Sequence, residues 1–340
     1  MDRCKILLIN HKKGESDNMS IFYQEGCINK ALTNISIAYS NEKYIADQIF
    51  KKSIIKKQSD KYCVHGIERF IQHDDRRVPG TEANEINWIF SEDSYDVMCH
   101  AFRVEITDEE VQNVDDIFVL EAAATELMTE KILFSKEIDA ANKLLDANKC
   151  HKDLRVTLGS PGTSAKWSDY KNSNPILDIK KAREAIYRKS GLRPNVLIIS
   201  ELVKNVLELH PKLHEFGRYV QKDIISIDLM ADAFGVDKVL VGSATNANNP
   251  EQIESRQNEP LNYIWGNSAI LAYVPSRPGK YTPATAYSFM WDKGGEGPVQ
   301  VRSWYETGRR ATMVEVSMWY DQKIVCNTTR FIFVNAVDLL

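Results

Sequence analysis

Two histidines, His210 and His214, stand four residues apart, the spacing that places two imidazoles on one face of a helix as metal ligands. The metalloprotease pattern HExxH also needs a glutamate after the first histidine, and Pro211 stands there instead. Proline is excluded from helix interiors, so this segment favours the junction of two helices. We therefore interpret the histidines as surface residues around a helix junction and predict no metal ligands.

A glycine-containing stretch at residues 159–167 (GSPGTSAKW) is the nearest approach to a phosphate-binding loop. It does not meet the spacing GxxxxGK[ST], and Pro161 and Trp167 suit such a loop poorly. The sequence also lacks a GxSxG elbow, a GxGxxG after a strand, and a Cys/His signature. We therefore predict no catalytic residues, no cofactor and no enzymatic activity.

Charged residues cluster at two places. Arg309 and Arg310 could bind a phosphate, but an ion pair at a strand end is the simpler interpretation. The acidic cluster favours a solvated face, or a contact with a basic loop of another subunit, over a catalytic pair. Its members are Glu105, Asp108, Glu109, Glu110, Asp115 and Asp116.

The composition is that of an ordinary folded protein. With 340 residues, 43% hydrophobic and 26% charged, the chain can form one large or two intermediate domains. A net charge of −4 argues against binding nucleic acid through bulk charge, although a local basic face could exist. The six cysteines form no CxxC pair and are interpreted as reduced residues of a cytosolic product. The apolar run at residues 6–9 is too short for a membrane span or a signal peptide.

The longest helical pattern runs over residues 118–146 without a glycine or proline. Apolar residues recur there at spacings of three and four, which predicts a long helix with this stripe facing the core. Asp115 and Asp116 precede it, where carboxylates favour a helix start. The stripe consists of Leu120, Ala124, Leu127, Phe134, Ile138, Ala141 and Leu145.

Two segments before this helix hold too little apolar surface to fold alone. Residues 20–50 are predicted to be an arm that packs on the body of the chain or on a neighbour. Alternating apolar residues between 56 and 105, with a turn at Pro79 and Gly80, predict a two-stranded excursion with a charged tip at residues 74–77. Thr107 and Glu110 then have the form of a capping box.

A compact α/β region is predicted after the long helix. Asn174 and Pro175 start a helix that Gly191 ends, and Ser200 and Ser226 cap two more. Residues 195–200 and 237–244 read as buried strands. The C-terminal stretch alternates well and predicts a small sheet that packs back on the long helix.

Dispersed segments of the chain resemble the major capsid proteins of tailed bacteriophages, which have the Hong-Kong-97-like fold. The resemblance covers about residues 31–337. The segments that carry it are TNISIAYSNEKYIADQIF, VPGTEANEINW, SYDVMCHAFRVEITDEE, WSDYKNSNPILDI, GLRPNVLIIS, FGVDKVLVGSA, IWGNSAILAYV and VEVSMWYDQKIV.

The resemblance implies an α+β, Hong-Kong-97-like capsid fold with five parts. These are an N-terminal extension and arm (1–50), an extended β-hairpin loop (51–106), a peripheral domain with its spine helix (107–171), an α/β axial domain (172–308), and returning peripheral-domain strands (309–340).

The resemblance also implies a function as the major capsid protein of a tailed phage or prophage. Copies of the chain would assemble as pentamers and hexamers into an icosahedral shell, made in the bacterial cytoplasm and present in the virion. Packaged double-stranded DNA would be a weak, non-specific partner; scaffolding, portal and decoration proteins are further candidates, and no membrane is expected. The candidate inter-subunit contacts are Asp74, Asp75, Arg76, Arg77 and Trp88.

Two alternatives stay open at this point. An encapsulin-like compartment protein shares the fold and encloses cargo enzymes, and a cytosolic α/β enzyme could hide its site from sequence inspection. The lysine–asparagine crosslink of some family members is not predicted, because no such residues can be assigned. With about 30 residues before the match begins, a long N-terminal scaffolding segment is not expected either.

Overall fold

The computed structural model describes residues 27–64, 75–77, 80, 82, 91–114, 116–219, 225–247, 261–279 and 282–338. The chain divides into two compact units. The first takes its residues from 1–40, 99–132 and 293–319, and the second from 41–98, 133–292 and 320–340. Helices and strands are mixed along the chain, which confirms the predicted α+β class. The five-part division predicted from the resemblance stays a prediction.

The elements of the described chain are numbered in sequence order. The helices are α1 (Lys30–Ala38), α2 (Ala46–Ile49), α3 (Asp108–Gln112), α4 (Ile117–Leu145), α5 (Pro175–Ser190), α6 (Glu201–Glu208), α7 (Pro211–Tyr219) and α8 (Ile227–Phe234). The strands are β1 (Cys27–Ile28), β2 (Lys51–Ile55), β3 (Ser59–Val64), β4 (Ser91–Asp96), β5 (Met98–Thr107), β6 (Arg155–Thr157), β7 (Val196–Ser200), β8 (Lys238–Gly242), β9 (Thr245–Asn246), β10 (Asn262–Tyr263), β11 (Ala269–Ala272), β12 (Ala286–Trp291), β13 (Val299–Glu306), β14 (Ala311–Ile324) and β15 (Arg330–Val334).

The first unit is organised around the antiparallel pair β13 and β14, which β1 and β5 extend. The central strands supply the buried side chains of Val301, Met313 and Val316. Helix α1 lies against β13, because the Asn29 N–H donates to the Val301 carbonyl and the Val301 N–H donates to Thr33 Oγ1. This part of the predicted arm therefore packs on its own chain.

The second unit contains a five-stranded sheet in the order β6-β15-β11-β7-β8. Strand β11 is antiparallel to both of its neighbours, and the outer pairs β6–β15 and β7–β8 are parallel. Every residue of β7 and β11 is buried, as their continuous apolar runs indicate. Helices α5, α6 and α8 lie against this sheet. The predicted buried strands and capped helices of the α/β region are confirmed, but β15, which was expected in a small C-terminal sheet, lies within this sheet between β6 and β11.

The predicted two-stranded excursion is confirmed at its base, where β3 pairs with β4 from Ser59 opposite Asp96 to Val64 opposite Ser91. The strand predicted around Ile86 and most of the turn beside it lie outside the described residues. In the same unit, β2 runs parallel to β12, a pairing that the sequence pattern did not indicate.

The predicted helix caps form as expected. Asn174, Ser200 and Ser226 each accept a hydrogen bond from the N–H three residues further on. Thr107 and Glu110 make the reciprocal bonds of a capping box. Such caps can be predicted from the sequence because both hydrogen-bond partners lie within one turn of the helix.

Helix α4 has 29 residues and confirms the predicted long helix, but its buried face is not the predicted one. Leu127 is 52% exposed, whereas its neighbour Met128 is 2% exposed and Ile132 is 1% exposed. Most of the predicted stripe is half-buried, and among its members Ala141 is fully buried. The buried face carries several polar side chains, which is why the apolar pattern indicated the wrong orientation. These are Thr125, Thr129, Lys136 and Glu137.

The C-terminal end of α4 is closed by a buried arginine. The Arg330 guanidinium, on β15, donates to the carbonyls of Lys143 and Leu144, both at 3.0 Å. These carbonyls have no partner further along the helix, so the arginine satisfies groups that would otherwise be unpaired.

Candidate assembly interface

The predicted inter-subunit residues belong to the segment between β3 and β4. Asp75, Arg76 and Arg77 are exposed, and Asp74 and Trp88 lie outside the described residues. Adjacent exposed charges fit the polar rim of a protein interface. Their role as inter-subunit contacts stays a prediction.

The strand pair that leads to this segment is fixed at its base by aromatic packing. The Tyr95 ring stacks on the Phe289 ring with centroids 4.5 Å apart, and the Tyr62 ring lies 5.2 Å from the same ring. Burial, together with the hydrogen bond from Tyr62 to Asp93, raises the pKa of Tyr62. Along β4 all side chains except that of Tyr95 are exposed. The ribbon is therefore held at one end, and its strand β4 is solvent-exposed along most of its length.

A second exposed surface lies at the start of α4. Ile117, Phe118 and Val119 are 47%, 46% and 60% exposed, and Val114 just before them is also exposed. Asp116 Oδ1 accepts the Phe118 N–H at 2.9 Å, which fixes the first turn of the helix. Contiguous exposed apolar side chains mark protein contacts in soluble proteins. We define these four residues as the helix-start patch.

Ionisable side chains also occur in the second half of α4, but there they form structural hydrogen bonds and an ion pair. Glu137 Oε1 accepts hydrogen bonds from the Ile45 N–H at 3.0 Å and from Trp265 Nε1 at 2.7 Å. Its Oε2 accepts the Ala46 N–H at 2.7 Å. Burial raises the pKa of Glu137, and the three donors partly oppose this shift. A fully buried carboxylate that already receives three donors is an anchor for the chain.

The indole of Trp265 reaches Glu137 because a glycine leaves room for it. A Cβ atom built on Gly242, at the end of β8, would lie 2.1 Å from Trp265 Cδ1. No side chain larger than hydrogen fits beside the ring in its present position.

The residue before Glu137 forms a neighbouring ion pair. Lys136 Nζ lies 2.5 Å from Asp47 Oδ1, and Lys52 Nζ lies 3.1 Å from the other oxygen. Burial opposes ionisation of Asp47, but the two lysines outweigh it and lower the pKa of this carboxyl. Burial lowers the pKa of Lys136, whose ammonium also lies over the Tyr320 ring. Together, Lys136 and Glu137 fasten the segment around α2 and β2 to helix α4.

Sequence reasoning missed this anchor. Lys136 and Glu137 look like solvent-facing residues of a charged helix, and Asp47 and Trp265 carry no motif. A charged pair next to the buried apolar residues of the helix was the one available signal. It becomes meaningful only when the partners are known, and these lie about ninety or more residues away in the chain.

The predicted helix junction is confirmed, since α6 ends at Glu208 and α7 begins at Pro211. The prediction that both histidines lie at the surface is wrong for His210, whose ring packs between Ser173 and Tyr170, whereas His214 is exposed. His210 is buried, and its Nδ1 accepts the Lys212 N–H at 3.2 Å. The neutral ring therefore carries its proton on Nε2, which lies 3.0 Å from Ser173 Oγ, and this hydroxyl donates to the Asp169 carbonyl. The ring is a donor to the serine, the opposite of what activation of a serine nucleophile requires.

The charged clusters from the sequence have local partners. Arg309 lies 3.2 Å from Glu105 Oε2 and 3.6 Å from Glu306 Oε1, which confirms the expected strand-end ion pair. The Tyr305 hydroxyl donates to Asp108 at 2.8 Å. These contacts fit the interpretation of a solvated acidic face, although Asp115 lies outside the described residues.

The stretch at 159–167 is a turn with a buried end. Trp167 is fully buried and its indole N–H donates to Asp178, while Lys166 bonds to Asp338. The lysine is thus engaged by a carboxylate, which is not the arrangement of a phosphate site.

Among the residues with described positions, no group of three His, Cys, Asp or Glu side chains is placed to hold a metal ion. Cys63, Cys99 and Cys150 are free thiols. None of the helices in the described ranges has the length and apolar character needed to cross a membrane.

Comparison with known proteins finds similarity to phage capsid proteins. No protein-family model matches the chain. It is 28% identical over 282 residues to the major capsid protein of Burkholderia phage BcepMu, covering 81% of this chain and 86% of that protein. A phage-related protein from Bordetella bronchiseptica RB50 matches in structure with a TM-score of 0.74 and 21% identity, over 92% of this chain and 98% of the other. The mature capsid of bacteriophage PhiM1 matches with a TM-score of 0.53 and 10% identity, over 96% and 92%. The Hong-Kong-97-like fold expected from the resemblance is confirmed.

Proposed function

We infer that this chain, a homologue of phage major capsid proteins, forms the shell of a phage or prophage head. The observation that carries this conclusion is the match to a major capsid protein over most of both chains. The shared fold supports it independently. The role is structural, and the subunit belongs to the virion capsid.

Self-assembly accounts for the surfaces that the single subunit leaves uncovered. The ribbon of β3 and β4 exposes most of its side chains, and the helix-start patch exposes four apolar ones. Both would be covered by neighbouring copies in pentamers and hexamers of an icosahedral shell. In this arrangement Asp75, Arg76 and Arg77 contact an adjacent subunit.

Further partners follow from the same function. The shell encloses double-stranded DNA through weak contacts without sequence preference, and scaffolding, portal and decoration proteins are candidate partners. The subunit is made in the cytoplasm of the bacterial host. The net charge of −4 supports weak rather than tight contact with DNA.

The matched relatives favour the phage head over an encapsulin-like compartment or a cytosolic enzyme. The contents of purified particles separate the first two functions. A head contains DNA or is empty, and a compartment contains a cargo enzyme. Turnover by an isolated subunit would instead support the enzyme alternative.

The test is the mass and shape of the purified full-length chain, by light scattering and negative-stain electron microscopy. We expect closed shells of megadalton mass. A 38.8 kDa monomer that fails to assemble even when its neighbouring head genes are co-expressed would contradict the proposed function.

A further inference from the structure

We propose that the exposed face of helix α5 is the surface on which the subunit contacts the phosphate backbone of duplex DNA. The proposal rests on the proposed capsid function and adds a location to it. It assigns this face of the second unit to the interior of the shell.

Helix α5 has two distinct faces. Ile179, Ala182 and Ile186 are at most 1% exposed and belong to the core of the second unit. The opposite face carries the exposed residues, which recur at spacings of three and four. These are Leu177, Lys180, Lys181, Glu184, Tyr187 and Arg188. The basic side chains are therefore concentrated on the solvent side.

Two of these lysines lack a carboxylate partner. Across the described residues no ion pair involves Lys180 or Lys181. Elsewhere on the surface some lysines are paired, as Lys57 is with Asp60 and Lys61 is with Glu92. Others, such as Lys30 and Lys43, also have no ion pair among the described residues, but they do not share a helix face with further cations. Unpaired cations on one helix face leave a local positive potential that an anion can satisfy.

The other cations of this face extend the same surface. Arg188 Nε forms an ion pair with Glu184 Oε1 at 2.9 Å. The Arg193 guanidinium lies over the Tyr187 ring, 5.4 Å from its centroid. A guanidinium held on an aromatic ring keeps its donors directed outward. Arg193 is exposed and has no carboxylate partner among the described residues.

The helix dipole does not account for the two lysines. Arg188 and Lys189 lie in the last turn of α5, where cations are favoured by the helix dipole. Lys180 and Lys181 lie in the second turn, where the dipole gives no such benefit. Their positive charge is therefore available for a partner.

Duplex DNA is the partner whose negative charge is complementary to this basic face. From Lys180 to Arg188 the helix extends about 12 Å, over which duplex DNA presents on the order of seven phosphate charges. Helix α5 as a whole carries five basic residues and two acidic ones, in a chain with a net charge of −4. A local basic face allows the chain to contact DNA weakly without binding it tightly.

The test is binding of unassembled, full-length chain to a fluorescent duplex of about 30 base pairs, by anisotropy at a series of NaCl concentrations. The variant is Lys180→Gln with Lys181→Gln. The control is Lys30→Gln with Lys43→Gln, which removes the same charge from two exposed lysines outside this face. Circular dichroism and electron microscopy report folding and shell formation for each protein.

We expect the α5 variant to lose several-fold in affinity and to lower the slope of log K against log salt by about two, since each phosphate contact contributes about 0.9. The control should match the unmodified chain. An unchanged slope, an equal loss in the control, or no DNA binding by the unmodified chain would overturn the proposal. So would a variant that keeps its DNA affinity but no longer forms shells, because the face would then contact a neighbouring subunit. Shell formation by the unmodified chain tests the proposed function separately.

Discussion

The Glu137 carboxylate on helix α4 accepts the indole N–H of Trp265 at 2.7 Å, and these two residues are 128 positions apart in the chain. The same carboxylate receives two backbone N–H groups at Ile45 and Ala46. One side chain thus holds two distant segments on the helix. Removing that acceptor should therefore weaken the hydrogen bonds of all three donors.

Glu137→Gln is expected to lower the free energy of unfolding by roughly 2 kcal/mol, since a buried donor left unpaired costs about 1–3 kcal/mol. The amide keeps the shape but places an N–H against a donor. Urea unfolding of the unassembled chain measures the change. The matched control is Glu126→Gln on the exposed face of the same helix, which should be nearly neutral. Equal unfolding midpoints for the two variants would show that Glu137 is not an anchor.

The Asp47–Lys136 pair should respond asymmetrically to mutation. Asp47→Ala leaves the Lys136 ammonium buried without its carboxylate and should cost roughly 3 kcal/mol. Lys136→Met should cost less, because Asp47 is partly exposed and keeps Lys52 as a partner. Chemical denaturation of both single variants and of the double variant measures the coupling. A larger decrease in the free energy of unfolding for Lys136→Met than for Asp47→Ala would contradict this assignment of burial.

Adjacent positions on α4 provide a direct test of which face is buried. Met128→Asp should prevent soluble folding, because it buries a charge with no partner. Leu127→Asp should leave the subunit folded, because this side chain is half exposed. Its free energy of unfolding should change by no more than about 0.5 kcal/mol. Soluble yield and thermal melting of the two variants decide between the faces. Insolubility of Leu127→Asp alone would restore the orientation predicted from the sequence.

The His210 junction should make stability depend on pH. Burial, followed by the charge of Lys212, lowers the pKa of His210 below its usual 6.5, with Glu215 acting in the opposite direction. A group with a lowered pKa in the folded state contributes stability above its unfolded pKa and loses it as the pH falls. We therefore expect thermal stability to fall as the pH is lowered from about 6.5.

His210→Asn keeps an acceptor for the Lys212 N–H but removes the titrating group, so it should flatten that acid-side decrease. The exposed His214→Asn is the control and should retain the pH profile of the unmodified chain. An equally steep profile for His210→Asn would assign the pH dependence to other groups.

Charge reversal at the loop tip, Arg76→Glu with Arg77→Glu, is expected to impair shell assembly while the subunit stays folded. Both side chains are exposed, so the monomer should tolerate the change. Particle yield by electron microscopy and the melting temperature of the subunit measure the two effects. Lys30→Glu with Lys43→Glu serves as the charge-matched control. Unchanged particle yield would exclude an interface role for the arginines.

Local signals made much of the fold predictable. The caps at Asn174, Ser200 and Ser226 need only residues within one helical turn, and the apolar runs of β7 and β8 need only their own composition. These features are encoded where they occur, so sequence inspection finds them.

Long-range pairing was not predictable in the same way. The orientation of α4 depends on Thr129 bonding to Ser36 and on Glu137 bonding to Trp265. A pattern of apolar spacing treats such polar residues as outward-facing, so it predicted a buried Leu127, which the structure exposes. The function was predicted from dispersed sequence similarity rather than from a catalytic motif. The candidate contacts at the loop tip were inferred from charge and position alone.

The arginine that closes α4 has a consequence for the timing of folding. Arg330 and Leu144 are 186 residues apart, and the guanidinium contacts the last carbonyls of the helix. While the chain is still being synthesised, those carbonyls have no arginine to bind. Closing so large a loop is slow compared with forming local turns. The helix can therefore begin early on the ribosome, but its end acquires its native cap only after the 186 residues up to Arg330 have also been synthesised.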